Sequence, residues 1–246
     1  MLERRARIVH DEKMCGRFLL VSAPGDVAKK FRVVDPLVNT PPRYNIAPTQ
    51  DVLAILCEEP MKSRVFATLR WGLVPHWAKD SNGGVALINA RAETLASKPS
   101  FRDAYRQRRC AIPADGFYEW SRKGERTPFA IARKDRQTMA FAGLWERWTD
   151  RASGETIRTC TIVTTTANEI CAPIHDRMPV ILDPDDVGIW LGDARDADRT
   201  ADRADAIASV LRPYKAADLI AFPVDKRVGN VRNDDPSLIE PVAMLL

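Results

Sequence analysis

The sequence predicts an α+β fold in a single domain, with an antiparallel, partly closed sheet and a few peripheral helices. Segments rich in β-branched and aromatic residues dominate the first two thirds of the 246-residue chain and follow one another across short turns. Strands and helices do not alternate regularly, which disfavours a doubly wound parallel sheet. No stretch resembles an interdomain linker, so we expect one domain.

The strand pattern is strongest in six segments, at 52–57, 64–71, 116–120, 128–132, 138–144 and 157–164. Helical patterns cover 26–32, 101–108, 167–172, 185–191 and 200–211. The helix at 167–172 is predicted from the capping-box spacing of Thr166 and Glu169, and it would lead directly into His175. The Ala-, Asp- and Arg-rich segment 193–205 predicts a solvated surface loop that runs into the last helix.

The composition excludes membrane and secreted proteins. A hydrophobic fraction of 45% and a charged fraction of 28% are typical of a soluble globular domain. The apolar runs stop far short of the ~18 residues of a membrane-spanning helix, and residues 1–13 lack the apolar stretch of a secretory signal. We therefore expect a cytoplasmic protein without a membrane segment.

Cysteine and histidine usage argues against disulfides and metals. The five cysteines form an odd set without a Cys-x-x-Cys pair, and the chain has only three histidines. We expect reduced thiols, no metal and no cofactor. The net charge of +4 leans weakly towards an anionic partner.

The strongest chemical signal is Cys15, which directly follows Met14 in the motif Met-Cys-Gly-Arg-Phe. If translation starts at Met14 and that methionine is removed, Cys15 carries a free α-amine beside its thiol. With ordinary pKa values near ~8 and ~8.5, both groups are partly deprotonated at neutral pH. Such an aminothiol traps an aldehyde, because the amine forms a Schiff base and the thiol then closes a thiazolidine ring. The alternative is a structural cysteine, since free cysteine is among the most buried residue types.

Two polar residues lie in apolar, strand-like segments. Asn89 ends an apolar run, with Arg91 two residues later on the same face. The Asn89 amide could form hydrogen bonds inside a pocket, or it could cap a turn. Glu119 lies between two large aromatic residues. Burial would disfavour its charged form and suit it to proton transfer, whereas on an alternating strand it could face solvent.

His175 lies in the dense polar motif Ile-His-Asp-Arg-Met-Pro, where Asp176 or Arg177 could tune a proton shuttle near neutral pH. A lone histidine is more often structural than catalytic. Arginines and tryptophans occur in the same segments, a combination that binds single-stranded nucleic acid. Most tryptophans are core residues, and Trp77 is predicted to be the most exposed one.

Seven segments together form a specific pattern, at 14–18, 43–48, 71–77, 88–93, 116–120, 174–179 and 228–231. In these segments the chain resembles the SOS response-associated peptidase family, the abasic-site processing proteins. The resemblance runs from Cys15 to about Asn233. It implies a twisted antiparallel β barrel with peripheral helices, in a domain at 15–246 that follows an N-terminal extension at 1–14.

The resemblance also implies a DNA-repair function, in which a covalent thiazolidine crosslink captures abasic sites in single-stranded DNA by lyase-like Schiff-base chemistry. A nucleoid association during DNA damage would follow. By motif, Cys15 forms the crosslink, Asn89 positions its amine, Glu119 is the acid/base that opens the deoxyribose ring, and His175 assists the Schiff-base steps and reversal. The expected DNA contacts are Arg17, Arg91, Arg177 and Trp77.

Thirteen residues precede Met14, whereas the family chemistry requires Cys15 at the mature N-terminus. A start assigned too far upstream, a pro-segment removed by self-cleavage, or a persistent extension that blocks crosslinking would each account for them. The first explanation fits best, because residues 1–13 carry no clear motif and a small residue after methionine permits its removal.

Two other functions fit the same residues. In an N-terminal cysteine peptidase or amidase, the Cys15 thiol attacks an amide and its own α-amine serves as base. In a noncovalent single-stranded nucleic-acid module, the cysteine is structural and binding depends steeply on salt.

Overall fold

The computed structural model describes residues 16–34, 38–58, 63–81, 87–122, 125–192 and 203–243. Its strands are β1 (Phe18–Leu20), β2 (Arg43–Ile46), β3 (Asp51–Glu58), β4 (Ser63–Trp71), β5 (Asn89–Arg91), β6 (Arg109–Ala114), β7 (Gly116–Trp120), β8 (Pro128–Arg133), β9 (Met139–Thr149), β10 (Thr156–Thr166), β11 (Arg177–Pro179), β12 (Ile181–Leu182) and β13 (Leu219–Pro223). Its α-helices are α1 (Pro24–Phe31), α2 (Arg102–Gln107), α3 (Pro184–Leu191) and α4 (Arg203–Ser209). Short 3-10 turns cover Ala92–Thr94, Ala216–Asp218, Lys226–Gly229 and Pro236–Ile239.

Five strands form a closed ring in the order β3, β4, β10, β9, β6 and back to β3. Closure pairs both edges of every ring strand, which removes the exposed edges of an open sheet. Four of the five pairings are antiparallel, and β10 joins β4 in parallel. The predicted α+β barrel is therefore confirmed, with parallel contacts of β10 to β4 and β5 as an addition.

A second, antiparallel sheet has the strand order β13, β8, β7, β1, β2 and packs against the ring. The ring centroid of Phe18 on β1 lies 5.3 Å from Trp71 and 5.9 Å from Phe141, and Phe117 on β7 lies 6.0 Å from Phe141. All three contacts are edge-to-face, the geometry that aromatic quadrupoles favour. These buried rings join the two sheets in one core, which fixes β1 and β7 relative to the barrel.

Helix α3 shows how local sequence sets an element and its packing. Pro184 begins the helix, where its missing N–H costs nothing, and Gly192 ends it in the left-handed conformation at φ 70°. The helix buries Trp190, whose indole Nε1–H donates to the Cys110 carbonyl at 2.8 Å. This bond attaches the helix to β6 of the ring.

One predicted helix is wrong. Residues 167–172 form turns instead, because the buried Asn168 side chain competes with helical hydrogen bonding. Its Oδ1 accepts the backbone N–H of Ile170 at 3.2 Å and of Cys171 at 3.0 Å, while its Nδ2 donates to the Tyr214 carbonyl at 2.8 Å. Of the predicted loop at 193–205, residues 193–202 lie outside the described residues. Residues 203–205 belong to the start of α4.

No helix in the described ranges combines the length and the apolar character that crossing a membrane requires.

We predict that Gly143→Ala destabilises the fold by about 1–3 kcal/mol. A Cβ at this position on β9 would lie 2.8 Å from Cys110 Sγ and 3.1 Å from the Thr161 carbonyl oxygen. Gly25→Ala is the matched control, because a Cβ there meets nothing within 4 Å and alanine favours helix α1. Urea unfolding should lower the stability of the first variant and leave the second unchanged or more stable. Equal stabilities for the two variants would contradict the packing argument.

Candidate functional site

A cavity of about 740 Å³ opens where the loops that follow β7 and precede β11 meet the start of β1. Its volume is in the range of small-molecule sites. The lining residues are Gly16, Arg17, Pro48, Ile88, Glu119, Trp120, Arg122, Arg126, His175, Lys226 and Gly229. Four of them are cations, so the cavity suits an anionic ligand.

Glu119 reaches the cavity from the end of β7. The pairing of β1 with β7 puts Phe18 opposite Phe117, and the Tyr118 N–H continues the ladder by donating to the Arg17 carbonyl at 2.9 Å. This ladder brings Gly16 and Glu119 to the same wall of the cavity. Glu119 is only 5% exposed, so the predicted burial is confirmed and the solvent-facing alternative is wrong.

His175 is 6% exposed and follows the turn that Asn168 stabilises. Its backbone N–H donates to the Cys171 carbonyl at 2.9 Å. Its Nε2 lies 2.8 Å from Arg122 Nη2, and its Nδ1 accepts the Arg177 backbone N–H at 3.1 Å. Asp176 Oδ1 lies 3.1 Å from the same Nδ1. The imidazole therefore faces a guanidinium at one nitrogen and a backbone donor at the other.

Arg17 is held by a buried network centred on Asn45. Arg17 Nη1 donates to Asn45 Oδ1 at 2.8 Å and to the Val228 carbonyl at 2.7 Å, and its guanidinium lies 5.8 Å from the Trp120 ring centroid. Asn45 Nδ2 donates to the carbonyls of Val228, Asn230 and Asn233 at 3.2, 3.1 and 2.7 Å. Burial lowers the pKa of the Arg17 guanidinium.

Asn89 and Arg91 lie on β5, which pairs in parallel with β10. The Ile88 carbonyl accepts the indole N–H of Trp71 at 2.9 Å and the backbone N–H of Ile162 at 3.0 Å, which fixes the start of this strand. Asn89 is half-buried and Arg91 is exposed. Ile88 lines the cavity, whereas Asn89 and Arg91 are not among its lining residues.

Arg177 forms hydrogen bonds to other protein groups and is not among the residues that line the cavity. Its guanidinium donates to Glu93 at 2.6 and 2.9 Å and to the Thr164 carbonyl at 2.7 Å. This bidentate pair lowers the pKa of Glu93, chiefly through the hydrogen bond from Arg177. It connects β11 to the turn after β5 and so links the segments that carry His175 and Asn89.

Trp77 is 53% exposed, and the prediction that it is the most exposed tryptophan is confirmed. Its loop is anchored to β9 on both sides of Trp77. His76 Nδ1 lies 3.2 Å from Glu146 Oε2, and the Trp148 indole N–H donates to the Ala78 carbonyl at 2.9 Å. Trp77 is not among the cavity's lining residues.

Cys15 lies outside the described residues, so its predicted role stays a prediction. Its neighbour in the chain, Gly16, lines the cavity. The described cysteines, Cys57, Cys110, Cys160 and Cys171, are free thiols. Burial raises the pKa of Cys171 to about 12, with the nearby charge of Glu119 as a further cause. Cys171 is therefore a poor nucleophile.

Within the ranges that the structure covers, His, Cys, Asp and Glu side chains form no group of three or more that could hold a metal ion.

Comparison with known proteins assigns the family. The profile of the SOS response associated peptidase (SRAP) family matches residues 14–231. The chain belongs to the SRAP family. It is 44% identical over 231 residues to the abasic site processing protein YoqW of Bacillus subtilis (strain 168), which covers 92% of this chain and 99% of that protein. It is 32% identical to the abasic site processing protein HMCES of Gallus gallus, over 82% of this chain and 67% of that protein.

The fold is shared as well. A crystal structure of a protein from Bacteroides thetaiotaomicron superposes with a TM-score of 0.80 at 25% identity. The match covers 93% of this chain and all of that one. The two proteins therefore share one fold over nearly the whole of this chain.

Sequence reasoning missed four residues of this SRAP site: Asn45, Arg122, Arg126 and Lys226. The three cations line the cavity, but single charged residues in loops carry no pattern that separates them from solvated ones. Arg122 had one usable signal, because it follows Glu119 by three residues, just past the motif at 116–120. Asn45 had another, since an amide inside a strand-like segment requires buried partners.

We predict that Asn45→Ala destabilises the protein by about 1–3 kcal/mol, because it removes donors and an acceptor from buried partners. Amide hydrogen exchange at 226–233 should accelerate more than exchange in the ring strands. Asn230→Ala is the control, since that exposed side chain accepts only the Arg232 N–H at 3.1 Å among the bonds seen here. Similar exchange in the two variants would show that Asn45 does not organise this wall.

Proposed function

We propose that the protein captures abasic sites in DNA by a covalent crosslink through the α-amine and thiol of Cys15. The observation that carries the proposal is one cationic cavity lined by Gly16, Glu119 and His175. Membership of the SRAP family supports it, as do relatives named abasic site processing proteins. Single-stranded DNA is the proposed form of the substrate, because a base-free sugar in a single strand can enter the cavity without a duplex first having to open.

The reaction balances without a cofactor. A proton transfer opens the cyclic hemiacetal of the deoxyribose and exposes its aldehyde at C1′. The Cys15 amine adds to C1′ and water leaves, which gives a Schiff base. The Cys15 thiolate then adds to C1′, and the imine nitrogen takes up a proton as the thiazolidine closes. Holding the sugar against Cys15 makes these steps effectively intramolecular.

The buried carboxyl of Glu119 is suited to the ring-opening proton transfer, since it faces the same cavity as the chain segment that follows Cys15. His175 is suited to the Schiff-base steps and to reversal, since its imidazole exchanges protons near neutral pH. Asn89 is proposed to position the Cys15 amine through its amide.

The positively charged residues of the cavity are suited to bind the DNA phosphates beside the abasic site. Arg17, Arg122, Arg126 and Lys226 line the cavity, where phosphate contacts position the strand without reading its sequence. Arg91 and Trp77 are exposed and fit contacts with the flanking strand. Arg177 is proposed to act on DNA only after its pair with Glu93 loosens, and otherwise to support the segments around the cavity.

A peptidase reaction is the alternative use of the same nucleophile. The thiol of Cys15 would attack an amide, and self-cleavage would remove residues 1–14. The intact mass of the protein made in cells shows directly whether residues 1–14 are retained or absent.

We predict that the protein beginning at Cys15 forms an SDS-resistant adduct with single-stranded DNA that contains an abasic site, between pH 6 and 8. Cys15→Ala should lose the adduct and keep noncovalent DNA binding. Cys57→Ser is the matched control and should crosslink normally, since Cys57 lies on β3 of the ring. An adduct that survives Cys15→Ala, or no adduct across this pH range, rules out the proposal.

We further predict that Glu119→Gln slows crosslinking about 100-fold, the usual scale of a general acid/base contribution. The amide keeps the shape of the side chain but cannot exchange the proton. Glu155→Gln, at an exposed site before β10, should react at the normal rate. The measurement is the single-turnover rate of adduct formation on gels, and unchanged rates for Glu119→Gln would remove that residue from the mechanism.

A further inference from the structure

The exposed indole of Trp77 lies at the tip of a tight turn. The Ala78 N–H donates to the Pro75 carbonyl at 2.9 Å, which makes His76 and Trp77 the two central residues of the turn. Residues 72–75 are buried, whereas His76 and Trp77 are exposed. The fold therefore holds a large aromatic side chain outside its core, with 53% of its surface in contact with solvent.

One face of the ribbon formed by β9 and β10 holds alternate residues of this loop. Glu146 lies opposite Thr159 in the ribbon, and Trp148 follows Glu146 by two residues, so the three side chains share a face. Three contacts of 2.9, 3.2 and 2.9 Å join this face to the loop: Val74 N–H to Thr159 Oγ1, His76 Nδ1 to Glu146 Oε2, and Trp148 Nε1–H to the Ala78 carbonyl. The residues on both sides of Trp77 are thus held, and its indole is left exposed.

The partner of His76 is a buried carboxylate that a guanidinium already balances. Glu146 is 4% exposed, and its Oε2 accepts from Arg108 Nη2 at 3.0 Å. Its Oε1 accepts the Arg147 backbone N–H at 3.0 Å and lies 2.9 Å from Arg108 Nε. Because a carboxylate only accepts hydrogen bonds, His76 must donate from Nδ1. The bond anchors the turn to a group that Arg108 fixes in place.

The His76 contact matters more to the turn than to the fold. The His76 side chain is 50% exposed, and Glu146 keeps its pair with Arg108 when His76 is removed. No buried charge is then left without a partner, which is the situation that strongly destabilises a core. What is lost is the anchor of the residue that directly precedes Trp77.

The base of the loop is attached beside the cavity. The Leu73 N–H donates to the Leu87 carbonyl at 3.2 Å, and the next residue, Ile88, lines the cavity. Trp77 can therefore meet a base of a strand whose abasic sugar enters there. Aromatic side chains bind bases of any sequence by stacking, and a surface that is ordered in advance loses less freedom on binding.

We propose that His76 is a positioning residue that holds Trp77 as a pre-ordered stacking surface for a base of the flanking strand. This inference rests on the proposed function, in which single-stranded DNA brings the lesion to the cavity. His76 acts through the turn and does not itself contact the base. The ligand of Trp77 is a nucleobase of any identity, since stacking does not read the hydrogen-bonding edges of the base.

The first test is ¹⁵N NMR of the full-length protein without DNA, in a Cys15→Ala background that cannot crosslink. The chain has six tryptophans, and Trp77→Phe assigns the Trp77 indole signal. In the parent protein, the heteronuclear NOE should show restricted motion of the Trp77 backbone and indole nitrogens. In His76→Ala both should move on the picosecond-to-nanosecond timescale. His76→Asn should stay parent-like, because its amide N–H can replace Nδ1–H.

Two results of this test overturn the proposal, namely a parent-like Trp77 in His76→Ala and a mobile Trp77 in the parent. Urea unfolding of His76→Ala accompanies it and should match that of the parent, since Glu146 keeps Arg108. A large loss of stability would make His76 a structural residue and would also overturn the proposal.

The second test measures noncovalent binding to an undamaged single-stranded oligonucleotide in the same background. Trp77→Ala should weaken binding about tenfold, the scale of one stacked base. His76→Ala should weaken it about threefold, the scale of one hydrogen bond. When Trp77 is already alanine, His76→Ala should have no further effect, because no indole is left to position. Lys79→Ala is the control, since this exposed cation of the same loop should have the same effect with either residue at position 77.

Equal effects of His76→Ala with and without the Trp77 indole would mean that His76 contacts DNA directly, and would overturn the positioning role. The outcome does not depend on crosslinking, because the DNA has no lesion and the protein lacks the Cys15 thiol. A missing crosslink in the protein beginning at Cys15 would therefore overturn the proposed function and leave this result unaltered.

Discussion

The buried side chain of Asn45 holds together the chain segments that form one wall of the cavity. It accepts from Arg17 next to β1 and donates to three carbonyls between 228 and 233, which are more than 180 residues away in the sequence. A strand-borne amide can serve both sides, since it is donor and acceptor at once. With this amide in place, the start of β1 has one position relative to Glu119. Without it, the carbonyls of Asn230 and Asn233 would lose the side-chain donor on β2 that they share, and the wall around Gly16 would be less well defined.

The charged residues around the cavity are the second feature that determines which ligand it can bind. A buried carboxyl at Glu119 lies among four cations, so its surroundings favour an anionic ligand while the site retains a group that can exchange a proton. The cations differ in how they are held. Arg17 is packed over Trp120 and bonded to backbone, whereas Arg122 contacts an exposed acid and His175. Arg17 is therefore the cation whose position the fold defines most closely.

Sequence patterns predicted the long strands and helices. They failed where a structure depends on contacts between residues that are far apart in the sequence. The six predicted strands correspond to β3, β4, β7, β8, β9 and β10, because each has five or more residues and is rich in β-branched, aromatic or other apolar residues. Strands of two or three residues, such as β5 and β12, show no period to detect. The turn at 167–172 was missed since the partner of Asn168 is Tyr214, 46 residues away. The motifs identified Glu119 and His175, whose cavity the structure describes, but not Arg122, whose role depends on a contact across 53 residues.

In the proposed reaction, selectivity depends on the cavity and not on the nucleophile alone. A 1,2-aminothiol reacts with any aldehyde it meets, so selectivity must come from what admits the aldehyde and releases it from its ring. In the proposed reaction, the four cations would hold the phosphates beside the lesion, and the buried carboxyl would act only on a sugar that has entered the cavity. A free aldehyde without flanking phosphates would lack the first of these contacts.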